Sequence, residues 1–351
     1  MMRRWMILFM VLLICSVTAI AAETDEVTSA LPDTARELLG SPAAGQLPDA
    51  RGMLRAALEK CGGEWSAAAG SAGMLCAVGA FCAAASLAVP EKAAGILPMV
   101  SAAAVAAVCG GSMKSMAALA KSVIDETVGF ETVLLPVMAT AAAGSGAPTG
   151  AAALYASSVA IGTALSRLLT AAVIPMIDCC LAVSLIQTAA EPGILGSAGS
   201  AMDSGIRHIL RLTAFAFTAY LSLTGLLRGG ADAMAVKSVR LASSTMVPLV
   251  GGMLADASET VLTSARLTLE TVGGLGLAAV LAILLVPLMR IGIQRLFLWL
   301  AGTVCAMLGA SKAAKQIEAV GHAMTLYAAV AAMVGLHAFV SAVCLLKVCT
   351  V

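Results

Sequence analysis

Long apolar runs alternate with short polar interruptions over most of the chain, and these runs predict its elements. After Trp65, residues 66–89 are apolar and long enough to cross a bilayer; Pro90-Glu91-Lys92 turns the chain, and residues 93–113 return. Residues 151–166 and 168–190, with Arg167 at their junction, then 212–227, 272–289, 296–310 and 320–346, are further apolar runs. Together they predict an all-α, polytopic transmembrane helical bundle of about six to eight spans, each needing ~20 apolar residues. Lys and Arg occur in most loops, so the charge bias that orients membrane proteins does not settle which side is which.

The interruptions are informative in their own right. In residues 114–131, Lys114, Lys121 and Asp125 share one helical face and Met116, Leu119, Val123 and Ile124 take another, which predicts an amphipathic helix. Residues 132–150 follow, interrupted by Pro136 and by the glycines of Gly144-Ser145-Gly146-Ala147-Pro148. So short an apolar stretch suits a re-entrant or broken helix, or equally a short span ending in a loop. Residues 191–211 are a polar connector and 228–271 a long semi-polar stretch.

Composition supports the membrane reading. Only 12% of the residues are charged and 60% are hydrophobic, whereas a soluble domain carries about 25% charged residues. Aromatics make up 4%, so the helices must pack through small residues. The net charge of +1 leaves no electrostatic footprint for nucleic acid. The ten Cys contain no CxxC, and most lie in apolar runs as small hydrophobes. Phosphate-loop, zinc-protease and nucleophile-elbow motifs are missing, so no enzyme activity, cofactor or metal is expected, and ATP-driven transport would need a separate ATPase.

The N-terminus has the order of a secretory signal: Arg3-Arg4, an apolar stretch, then Ala19-Ile20-Ala21 before Ala22 and acidic Glu23. The charge switch after Ala22 favours a cleaved signal over an uncleaved first span. The predicted organisation is a signal peptide at 1–22, a short exported polar segment at 23–65 with a helix near 50–60, a transmembrane hairpin at 66–113, and two membrane repeats at 114–227 and 228–351. The repeats rest on recurrent landmarks. Pro136 and Pro248 are 112 positions apart, as are Pro175 and Pro287, and the flanking Leu135-Pro136-Val137 and Val247-Pro248-Leu249 are alike. Duplicated halves are a common architecture of transporters.

Three groups are candidates for function. Pro136, Gly144, Gly146, Pro175, Pro248, Gly251, Gly252 and Pro287 are candidate hinges or helix breaks, the plainer reading being static kinks. Asp256, Glu259, Thr263, Arg266 and Glu270 fall on one narrow helical face, which suits a helix lying at the interface or a stripe lining a polar path or meeting a partner. Asp178 lies deep in an apolar run, where a carboxylate needs a partner. Its repeat counterpart is Arg290, so the two are candidates for an intramembrane charge pair; alternatively Arg290 caps its own span at the headgroups.

Val247-Pro248-Leu249-Val250-Gly251-Gly252-Met253-Leu254-Ala255-Asp256-Ala257, continuing to Glu259-Thr260-Val261-Leu262, resembles the stage III sporulation protein AE family. Leu134-Leu135-Pro136-Val137, Lys237-Ser238-Val239-Arg240 and Val272-Gly273-Gly274-Leu275 fit the same family. Glu270-Thr271 and Leu308-Gly309-Ala310 depart from its pattern. The resemblance implies a multi-pass subunit of a sporulation trans-envelope complex, placed in the mother-cell membrane around the forespore. It also implies other membrane subunits and a separate ATPase as partners, alongside membrane lipid. The alternative from the residues alone is an autonomous secondary transporter for a small solute.

Overall fold

The computed structural model describes residues 31–39, 50–88, 95–189, 194–227 and 250–347, and their regular structure is entirely helical. Two short helices, α1 (Asp33–Leu39) and α2 (Ala50–Lys60), precede seven longer ones: α3 (Gly62–Ala88), α4 (Leu97–Gly144), α5 (Pro148–Leu168), α6 (Ile174–Ala189), α7 (Ile194–Leu227), α8 (Val250–Met307) and α9 (Ser311–Lys347). Five runs among the described residues are long and apolar enough to cross a membrane: Gly62–Ala88, Leu97–Gly144, Pro148–Thr188, Val272–Met307 and Ser311–Lys347.

This count is lower than the sequence pattern suggested because polar junctions did not break the chain. The predicted spans 151–166 and 168–190 are joined through a π-helical turn, Leu169–Val173, directly before Pro175. Widening the helix there accommodates a proline ring that would meet the carbonyl four residues back. The predicted spans 272–289 and 296–310 are one helix, because Arg290 and Arg295 favour helix and find partners inside the bundle. The broken segment expected around Pro136 is likewise continuous. Residues 97–144 form one helix with Pro136 inside it, held on either side by buried Leu134, Leu135 and Met138. At 1.5 Å per residue α4 is about 72 Å long and α8 about 87 Å, more than twice the ~30 Å of a hydrocarbon core. The expected boundary between 113 and 114 therefore falls inside a single helix.

Two reversals are sharp, and each uses a glycine for the same reason. Gly146 has φ 104° and Gly309 φ 87°, a left-handed backbone that a side chain disfavours. After α4, Gly146 N donates to Ala143 O and Ala147 N to Ala142 O; after α8, Gly309 N donates to Ala306 O and Ala310 N to Cys305 O. Both are Schellman caps, which satisfy carbonyls left over at a helix end. Pro148 then starts α5, where its missing N–H is no loss.

Helices α8 and α9 form an antiparallel hairpin at the centre. Their most apolar stretches are 67% and 61% buried, against 22% in both α3 and α4, and α3, with large apolar side chains exposed along its length, lies at the edge. Met74, Phe81 and Leu87 of α3, Leu212 and Phe215 of α7, and Trp299 and Met307 of α8 point outward, as hydrocarbon-facing side chains should. Two apolar cores share the long helices α4, α8 and α9. One gathers Phe130, Leu134, Met138, Val280, Ile283 and Phe339; the other gathers Leu75, Val105, Ile174, Leu298, Met324 and Tyr327. Helices α1 and α2 add Leu38, Met53 and Ala57 to the first core, and a Lys60–Glu37 ion pair ties them together. The polar N-terminal segment, too short for a core of its own, thus docks on the bundle.

Glycine allows the close approaches. A Cβ on Gly335 would run into Leu284, one on Gly276 into Leu134, and one on Gly273 into Leu346. Gly110 has open space around its missing Cβ. Gly335→Val is therefore expected to cost about 1–3 kcal/mol through overpacking, whereas Gly110→Ala should gain about 0.5–1 kcal/mol from helix entropy. Thermal unfolding of the purified protein in detergent checks both signs.

Candidate functional site

Polar side chains inside an apolar bundle must find partners within it. Helix α9 carries most of them, and each reaches a different neighbour. Gln316 is fully buried; its Nε2 donates to Pro98 O (3.1 Å) and its Oε1 accepts from Ser101 Oγ (2.9 Å), both on α4. His322 Nε2 lies 2.7 Å from Asp203 Oδ1 on α7, and the other Asp203 oxygen pairs with Arg207 at 2.5 Å. Thr325 Oγ1 accepts from Arg295 Nε of α8 at 3.3 Å. The Tyr327 hydroxyl donates to Asp178 of α6.

The deepest cluster is at the far end of α9. His337 Nε2 lies 3.2 Å from the Ser158 carbonyl of α5 and 3.7 Å from Glu131 Oε1 of α4. A carbonyl oxygen only accepts, so Nε2 carries the hydrogen of the neutral ring. Each of three helices supplies two residues one turn apart: Thr127 and Glu131, Ser158 and Gly162, His337 and Ser341. All six are buried. Gly162 makes room for the pair, since a Cβ there would sit 2.9 Å from His337 Nε2 and 3.2 Å from Glu131 Oε2. Thr127 Oγ1, Glu131 Oε1 and Ser341 Oγ have no hydrogen-bond partner among the described residues. The cluster offers one carboxyl, one imidazole and three hydroxyls, a set that binds and passes protons. Among the described residues no three His, Cys, Asp or Glu side chains group as metal ligands.

The residues singled out in the sequence are placed differently. Asp178 and Arg290 do not meet: Asp178 accepts from Tyr327, and Arg290 Nε lies 3.6 Å from Glu64 Oε1 of α3. Asp178 and Arg290 occupy matching positions in sequence, but packing against α9 and α3 decides their partners. Cys61 is buried beside Arg290 and Glu64, and burial pushes its thiol above its ordinary pKa despite the nearby guanidinium. Among the candidate breaks, Gly144 and Gly146 mark a true reversal, Pro175 follows the π-helical turn, and Pro136 and Pro287 lie inside uninterrupted helices. Gly251 and Gly252 are in the first turn of α8, and Pro248 lies outside the described residues. Asp256, Glu259, Thr263, Arg266 and Glu270 belong to α8, which confirms a helix there; their side chains lie outside the described set.

Glu131 and His337 were missed in the sequence. Glu131 is the last charge of the stretch 114–131, and His337 is not among the candidates drawn from the sequence. The usable signal was that no charged residue follows Glu131 until Arg167, and that His337 interrupts a long apolar run.

The fold and its buried polar contacts define a multi-span helical membrane protein. A family model described as Stage III sporulation protein AE matches residues 74–348, and the chain belongs to that family. The curated Stage III sporulation protein AE of Bacillus subtilis (strain 168) is 22% identical over 222 residues, covering 63% of this chain and 56% of that protein. The matched region thus spans little more than half the length of this relative. No solved structure matches. Family and relative together support a role in sporulation, and the matched region contains Glu131, Ser158 and His337.

Double-mutant cycles test the pairings. Tyr327→Phe and Asp178→Asn should be coupled by about 1 kcal/mol, and Arg290→Gln with Glu64→Gln by about 0.2–1 kcal/mol, as for a part-exposed ion pair. Asp178→Asn and Arg290→Gln should be additive, as expected of sites without a shared partner. Unfolding in detergent gives the readout.

Proposed function

We propose that the chain is a non-enzymatic, multi-pass subunit of a sporulation complex that links mother cell and forespore across their facing membranes and is needed for forespore development after engulfment. The observation that carries this reading is the family match over residues 74–348 of a helical membrane bundle. The partners proposed are other membrane subunits, a separate ATPase and the surrounding lipid. The ATPase is included on the family resemblance, and the chain itself has no phosphate-binding loop. The location proposed is the mother-cell membrane around the forespore, reached through the N-terminal signal. The polar face Asp256–Glu270 of α8 lies outside that helix's most apolar run and suits a partner contact.

A second reading, an autonomous permease, is favoured by one observation: the carboxyl and imidazole buried between α4, α5 and α9 are the kind of group proton-linked carriers use.

Deletion of the gene in its host separates the two. The complex subunit predicts arrest after engulfment, restored by the wild-type gene, with forespore gene expression and spore counts as readouts. Asp256→Ala should then fail to restore spores while the protein reaches its normal level, which would assign the polar stripe to function. Normal spores from the deletion strain would overturn the subunit reading and leave the permease.

A further inference from the structure

His337 ties α9 to α5 through the Ser158 carbonyl, but no hydrogen bond among the described residues accounts for burying Glu131 Oε1 beside it. The cluster leaves buried oxygen atoms unsatisfied where a packed apolar group would be more stable. Glu131 is 5% exposed and His337 1% exposed, and their facing atoms are 3.7 Å apart, just beyond a hydrogen bond. The ring hydrogen on His337 Nε2 instead points to the Ser158 carbonyl at 3.2 Å. A move of a few tenths of an ångström would transfer that hydrogen bond to Glu131.

We propose that Glu131 is a proton-binding site in the interior of the bundle, and that His337 Nε2–H changes acceptor with its occupancy. When Glu131 is protonated, the carboxyl is neutral and His337 donates to Ser158 O. When the Glu131 O–H bond breaks, the proton passes to water and the electron pair stays on the carboxylate. His337 Nε2–H then donates to that carboxylate and releases the Ser158 carbonyl. Proton release therefore swaps a contact between α9 and the backbone of α5 for one between α9 and α4. The imidazole keeps its own hydrogen in both states.

The surroundings leave these two groups to answer each other. Helix α5 presents Ser158 and Gly162 to them. The described charged groups on neighbouring helices face elsewhere: Arg290 of α8 towards Glu64 of α3, Arg295 of α8 towards Thr325, Asp178 of α6 towards Tyr327, and Asp203 of α7 towards His322 and Arg207. No counter-charge among the described residues holds Glu131 ionised.

Infrared spectroscopy of the full chain reconstituted in phospholipid vesicles tests the site. The proposal expects a protonated-carboxyl band that is lost as the pH is raised and is missing in Glu131→Gln. His337→Leu removes the donor to the carboxylate, so the band should persist to higher pH, whereas His337→Gln keeps a donor and should titrate near wild type. Should a variant fail to fold, carbodiimide labelling of the wild-type protein gives a second readout. An adduct on Glu131 that declines as pH rises supports the site. The proposal is overturned if wild type shows neither a titrating band nor a pH-dependent adduct at Glu131, or if His337→Leu titrates as wild type does.

Discussion

Inside an apolar bundle a polar group without a partner is expensive, and this constraint arranges the molecule around its last helix. Hydrophobic burial alone hardly favours one register over another, because lipid tails are as apolar as the side chains they replace. Hydrogen bonds are not indifferent. Gln316 fixes α9 against the start of α4, His322 against α7, Thr325 against α8, Tyr327 against α6, and His337 against α5. Five contacts to five helices along one helix leave little freedom to slide or rotate. The small residues complement this: with glycines at 273, 276 and 335, backbones approach where side chains would hold them apart.

The same arrangement accounts for the unusual lengths of α4 and α8. Each passes through both apolar cores and stays helical across groups that could have ended it. Pro136 and Pro287 each remove one backbone hydrogen bond, but neighbouring turns are buried and held. Arg290 and Arg295 sit near the middle of α8's apolar stretch and are paired with Glu64 and Thr325. Long helices of this kind are longer than a hydrocarbon core is thick.

Class and helical content were legible in the sequence because hydropathy reports them directly. Turns were legible where glycine chemistry is decisive, as at Gly146, while Gly309 was noted only as a departure from a family pattern. What was not legible was pairing. Asp178 and Arg290 occupy matching positions along the chain, yet their partners Tyr327 and Glu64 lie 149 and 226 positions away in sequence. Where adjacent runs join was hidden for a related reason: a charged residue inside an apolar run signals a loop unless its partner is known. Glu131 and His337 show the limit most clearly, since each looks unremarkable until three helices bring them together.

Amide hydrogen exchange of the reconstituted protein, read by mass spectrometry, tests most directly whether α9 is the element on which the bundle depends. The account predicts that 311–347 and the facing stretch 272–307 exchange slowest, and that Gln316→Leu speeds exchange in α9 and at the start of α4 while sparing the outer part of α3. Exchange in α9 as fast as in the peripheral helix Gly62–Ala88 would contradict it.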